Sequence, residues 1–244
     1  MTMETWQLGS HMDRLRLALL LVMLVPLLVG LAYYLGFEDS TDLPDAALDA
    51  FVALAIAAVL APVILYVFGV LRADTNANEW IGTIAVQTVT GSIGALLAQS
   101  QLGRTSNENK QRRSGGPLAE YFFMAAGALF LSANIAPTEE IVLIAHLMTP
   151  WHAIALIAVS LLVMHAFVYA LEFKGQHKRA TGVPLWHEFI GFTVVGYLIA
   201  FLISSYLCWS FGRFDGMSFA AVLQISIVLA FPAAVGAAAA RLVL

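Results

Sequence analysis

Of the 244 residues, 60% are hydrophobic and only 11% charged, and the mean hydropathy is +0.83. A soluble domain of this size carries roughly twice that charged fraction, and no stretch is polar enough to form a separate soluble domain. The net charge of −4 decides little because charge placement matters more than its sum in such a chain, and one cysteine, Cys208, excludes an internal disulfide.

Apolar runs of about 20 residues recur along the whole length, the pattern of an all-α, polytopic transmembrane helix bundle. Residues 1–11 are set aside as a leader or vector-derived remnant, because "GSHM" stands at 9–12 and Met12 before "DRLRL" makes a sensible native start. A single transmembrane domain, 12–244, remains. The first run is too long for a signal-peptide core and lacks a small-residue cleavage site, so it reads as an anchor helix. Spans are expected at 15–36, 47–71, 118–136, 150–172, 187–210 and 218–240, with Pro26 and Pro62 as kinks. The last has small residues at helical spacing: Ala233 and Ala237 share a face with Arg241, as do Gly236 and Ala240 with each other. No long internal repeat is evident.

Residues 80–102, "WIGTIAVQTVTGSIGALLAQSQL", are different. Gln87, Thr88, Thr90, Ser92, Gln99 and Ser100 are polar, and Gly82, Gly91 and Gly94 loosen a helix. The segment is either a seventh span in the bundle centre or a re-entrant piece lining a watery cavity. If it does not cross, and the N-terminus is inside, eleven basic residues lie inside and one outside; if it crosses, with the N-terminus outside, eight lie inside and four outside. The positive-inside rule favours the first. Both arrangements place the basic loops 103–117 and 173–185 in the cytoplasm and the connection "PTEE" outside, in an inner (plasma) membrane.

That connection is the most informative stretch. In "SANIAPTEEIVLIAH", 132–146, Pro137 suits the first turn of a helix and Thr138 an N-cap, so Glu139 and Glu140 fall where free N–H groups and the helix dipole stabilise negative charge. Thr149 and Pro150 repeat the signal and begin the next span. The helix between, 138–148, is too short to cross and must be interfacial or re-entrant. His146 lies nearly two turns from Glu139 on the same side, and Asn134 and Thr138 offer neutral oxygens. An ordinary loop opening a helix with favourable charges explains the pattern. So does a cation site at an outer mouth, with Glu139 and Glu140 as metal ligands.

"ANIAPTEEI", with "SIGALLAQSQLG" upstream and "WHEFIGFTVVGY" downstream, resembles a family of bacterial integral membrane proteins, a domain of unknown function. The resemblance covers about 13–244 and implies a bacterial membrane source, but no chemistry.

His165 lies inside the span 150–172 with Glu172 seven residues on, and intramembrane ionisable groups are functional candidates. His187 and Glu188, in "WHEF", suit interfacial anchoring. The six histidines make neither H-x-x-x-H nor H-E-x-x-H, and nucleophile-elbow, P-loop and dinucleotide motifs are missing, so an intramembrane metal-dependent enzyme ranks last and no enzyme activity is expected. The expected function is a cation channel in a homo-oligomer. Glu139, Glu140, Asn134 and Thr138 form its outer site; Gln87, Thr90, His146 and His165 line the path. Paired hard oxygens suggest bound Ca²⁺. No other cofactor and no nucleic-acid partner is expected. The alternative is a proton- or ion-coupled secondary transporter. Such a carrier has related halves with matching broken helices, and only one break, after Pro137, is visible.

Overall fold

A short helix opens the chain because Thr2 and Thr5 cap it reciprocally, each backbone N–H donating to the other's hydroxyl. This helix, α1 (Met3–His11), is followed by α2 (Arg14–Leu35), α3 (Leu43–Val67) and α4 (Ala77–Leu102). Then come α5 (Pro117–Ile135), α6 (Glu140–Leu147) and α7 (Pro150–Phe173). A π-helical segment, Phe189–Val194, runs into α8 (Val195–Ser210), and α9 (Phe219–Val243) ends the chain. The structure, a computed structural model, describes residues 2–35, 42–72, 74–102, 117–173 and 189–243. Among the described residues there is no strand.

Among the described residues, seven helices are long and apolar enough to cross a membrane: Arg14–Tyr34, Leu43–Val67, Ala77–Ala98, Leu118–Ile135, Pro150–Phe167, Phe189–Ser210 and Phe219–Ala240. The ambiguous segment 80–102 is therefore part of one unbroken helix, Ala77–Leu102, long and apolar enough to be a seventh span. Its glycines are contact points rather than weak points. A Cβ on Gly82 would run into the Gly9 carbonyl of α1, and one on Gly91 would sit 3.2 Å from the Ala57 Cβ of α3.

The described residues form two compact units, Met1–Phe122 with Ser210–Gly212, and Phe123–Trp209 with Arg213–Leu244. In the first, α1 and α2 pack on α4, and α3 on α2 and α4. Asp13 caps α2, its Oδ1 accepting from the amides of Leu15 and Arg16 at 3.0 and 3.1 Å. Arg14 donates to the Asn78 carbonyl at 2.7 Å, tying the start of α2 to that of α4. In the second unit, α6 and α7 pack on α9, and the π-helical segment on α7.

Two stretches of the chain, α1–α4 and α6–α9, each run as a short helix and then three helices of spanning length, with α5 between them. Residues 2–37 align with 138–173 at a constant offset of 136, without a gap, and seven of the 36 positions are identical: Thr2, Glu4, Met12, Leu20, Tyr33, Leu35 and Phe37. Burial follows the same register. Thr5 and Gly9 are the buried residues of α1, and their counterparts Ile141 and Ala145 are those of α6. Met12 and Met148 end the two short helices in the same extended conformation, φ −61 ψ 140 and φ −81 ψ 136. The inward face of α3 reads Ala50, Ala53, Ala57, Ala61, Leu65; 143 residues on stand Thr193, Gly196, Ala200, Ser204 and Cys208, all buried. Phe-Gly follows both stretches, with Gly69 at φ 70 and Gly212 at φ 72. At an offset of 142, Thr83, Val86, Thr88, Ser92 and Leu96 of α4 and Ile225, Val228, Ala230, Ala234 and Ala238 of α9 are buried alike.

Backbones touch at Gly127 of α5 and Gly236 of α9, where a Cβ on either would collide with the other's carbonyl oxygen. Gly236→Leu is expected to lower the detergent melting temperature sharply, through overpacking that costs about 1–3 kcal/mol or more. Gly191→Ala, with nothing within 4 Å of its added Cβ, is expected to shift it little. Equal melting curves for the two variants would contradict this packing.

Candidate functional site

The loop between α5 and α6 is shaped by one carbonyl. The Thr138 amide and hydroxyl both donate to the Ile135 oxygen at 2.9 Å, so Thr138 finishes α5 instead of capping the next helix. The N-cap is Glu139, in helical conformation and without a side-chain capping bond, and α6 runs from Glu140. This corrects both the expected cap at Pro137 or Thr138 and the expected extent, 138–148. Both carboxylates are exposed. Asn134 donates from Nδ2 to the Phe130 carbonyl at 2.6 Å. Asn134 and Thr138 thus spend their hydrogens on the backbone, and their side-chain oxygens remain acceptors.

Ile141 and Ala145 face inward, while Leu147 and Trp151 are 83% and 79% exposed beside the exposed glutamates. At eight residues, α6 is too short to cross a bilayer. Its end is pinned by Gln224 of α9, which donates to the Met148 carbonyl at 3.2 Å. His146 is exposed, its Nδ1 2.7 Å from the Val142 carbonyl. His152 turns back on the start of α7, its Nδ1 accepting from the Thr149 amide at 3.2 Å.

The polar side chains of α4 lie in the other unit and are engaged in packing. Thr88 donates to Ile84 O at 2.7 Å, Thr90 to Gln87 O at 3.3 Å and Ser92 to Val89 O at 3.0 Å, and all three are buried. Gln87 accepts from the Trp6 indole at 3.0 Å, and Thr83 donates to the Trp6 carbonyl at 3.3 Å. The side chains of Gln99 and Ser100 lie outside the described residues. The segment 1–11, expected to be a leader or remnant, thus supplies the hydrogen-bond partner of Gln87.

His165 of α7 meets the π-helical segment. Its Nδ1 lies 3.2 Å from the Thr193 hydroxyl, and the Phe189 ring stands edge-on to it at 5.1 Å between centroids. Sequence reading missed Thr193, which is 28 residues away and gives no signal of its own. The side chain of Glu172, His187 and Glu188, and the loops 103–116 and 174–188 lie outside the described residues. Among the described residues, no group of three or more His, Cys, Asp or Glu could hold a metal ion. A cation at Glu139 and Glu140 would need oxygens from Asn134, Thr138, main chain or water.

The whole chain, residues 1–244, matches the family described as "Putative integral membrane protein (DUF2391)". The chain belongs to this family. The match to DUF2391 takes in α1 as well as the spans, and it makes the chain an integral, multi-pass protein in contact with lipid. No curated protein and no solved structure is detectably similar to it.

A double-mutant cycle tests the link between α1 and α4. Trp6→Phe and Gln87→Leu are each expected to destabilise by about 1 kcal/mol in detergent unfolding, with a coupling of about 0.5–1.5 kcal/mol. Strict additivity would mean that the indole bond contributes nothing.

Proposed function

We propose that the protein moves a small cation across the bilayer as a secondary transporter made of two related halves. One observation carries this reading: the stretches α1–α4 and α6–α9 each run as a short helix, a break, and then three helices of spanning length, with burial in matching positions. Carriers built from internal repeats place broken helices at corresponding positions, and those positions mark the substrate and ion path. Glu139 and Glu140 are then the outer cation site, held at the start of α6 with Asn134 and Thr138 as neutral neighbours. Fixed carboxylates at a low-dielectric mouth attract and partly dehydrate a cation. Hard paired oxygens favour Ca²⁺ among the candidates.

The exposure of both glutamates supports a second reading, in which copies of the chain in a homo-oligomer bring them into a ring at a channel mouth. Transport against a gradient separates the two. Purified protein in liposomes is expected to take up Ca²⁺, Na⁺ or K⁺, and Glu139→Gln and Glu140→Gln to reduce that flux at least tenfold while changing stability by less than about 1 kcal/mol. Uphill accumulation driven by a second ion gradient identifies a carrier; strictly downhill flux identifies a channel. No flux of any of the three cations overturns both.

With seven crossings, the distribution of basic residues favours an outside N-terminus in an inner membrane, loops 103–117 and 173–185 in the cytoplasm, and 137–149 outside. A cysteine at Asp42 should then be shielded from impermeant thiol reagents added to intact cells, and one at Thr75 should react. The opposite pattern would mean that α4 does not cross.

A further inference from the structure

The first unit serves as an internal control for the second. Where it has Leu24, Val29, Ala50, Leu54 and Ala61, the second unit has Ser160, His165, Thr193, Tyr197 and Ser204. The shared plan folds with apolar residues at all five positions, so helix packing does not require the polar ones. Their cost in a membrane is real, because a buried hydroxyl without a partner loses its hydration and gains nothing in return.

The polar residues fall together. Thr193 is 1% exposed, Tyr197 8% and Ser204 0%. Their spacings of four and seven put them on one face of the helix, and that face spans about 16 Å from Thr193 to Ser204, roughly half a bilayer core. Thr193 meets His165 at 3.2 Å. The Tyr197 and Ser204 hydroxyls have no protein partner. Thr193 lies in the π-helical turn, an irregularity that recurs at functional sites. Gly196, between Thr193 and Tyr197, is lined by Met164 and Met124, so the flanks of the seam are apolar.

We propose that this seam is a hydrated proton site: His165 takes up a proton inside the membrane, and Thr193, Tyr197 and Ser204 hold the waters that connect it to solvent at the Ser210 end of α8. Buried hydroxyls without protein partners are what ordered water satisfies. In the transfer, a hydronium ion gives its proton to the neutral imidazole and becomes water. Each hydroxyl or water on the way accepts one proton on a lone pair as it releases another, so the path itself is unchanged. Other titratable groups lie on the elements around it: α5, whose Met124 lies against Gly196, carries Glu120 and Tyr121. Tyr197 stands one turn from Thr193, with Tyr206 and Cys208 farther along α8; α7 carries His152, Tyr169 and Glu172, and α9 only Arg241. This inference deepens the carrier reading, and rests on it, only in making the proton the coupling ion.

The test needs no transport. Full-length protein labelled with ¹⁵N-histidine, in nanodiscs, is titrated by NMR from pH 4.5 to 9, with His165→Gln assigning the signal. The His165 signal is expected to change reversibly as its ring gains and loses a proton. Tyr197→Phe, Thr193→Ala and Ser204→Ala are expected to slow proton exchange at His165 at least tenfold without lowering the melting temperature. The last two restore the residues the first unit uses at Ala50 and Ala61. A His165 that keeps one charge state throughout, or exchange unchanged in all three variants, overturns the proton site. Titration as expected in a protein that passes no cation overturns the cation reading alone.

Discussion

In hydrocarbon a hydroxyl must find its acceptor inside the protein, because no solvent will supply one. The spanning helices meet that constraint in one repeated way. Thr88, Ser132, Ser160, Ser205 and Ser226 each donate to the carbonyl four residues back, and Ser92 to the one three back. Such bonds cost no partner helix and leave the packing surface apolar. Against that background Tyr197 and Ser204, deep in α8 and without protein partners, depart from the rule that holds elsewhere. They share a face of that helix with Thr193, which meets His165 at 3.2 Å.

With polar groups turned inward on their own helices, association falls to close contact between small residues, since lipid is as apolar as leucine. Gly9 against Gly82 and Gly127 against Gly236 let carbonyls and α-carbons touch directly. The alanine face of α3, with Gly91 of α4 against Ala57, extends the same device over several turns. Larger residues then fill what remains: Phe122 lies over Gly30, and Met164 and Met124 over Gly196. A helix of nine residues such as α1 could not hold its place by area alone. It does so by a glycine contact plus the indole bond to Gln87.

Composition and run length carried the fold class, because spanning helices impose a length and an apolarity that few other structures share. The polar character of 80–102 was also legible, but its use was not. Thr88, Thr90 and Ser92 look the same in a sequence whether they face water or bond their own backbone. The cap at Pro137–Thr138 was misread because two short-range bonds compete there and the Ile135 carbonyl wins both. The repeat escaped notice for a statistical reason. Apolar helices resemble one another by default, so seven identities in 36 positions stand out only when burial falls in the same register. Setting residues 1–11 aside removed the part where that register is easiest to see, Thr2 and Glu4 against Thr138 and Glu140.

Once the register is known, differences between the halves say more than similarities. Positions alike in both, such as the buried pairs Gly9 and Ala145 or Val86 and Val228, answer to packing. Positions that differ in chemistry are free of that demand. The two half-helices diverge in this way: Met3 and Glu4 begin one, Glu139 and Glu140 the other. The acidic pair therefore belongs to one half only, as do His165 and the hydroxyl seam. Both lie in the second unit, the carboxylates at the interfacial end and the imidazole deep in α7. A duplicated scaffold that keeps its packing in both copies can carry different polar groups in each: Gln87 and the hydroxyls of α4 in one, His165 and the hydroxyl seam of α8 in the other.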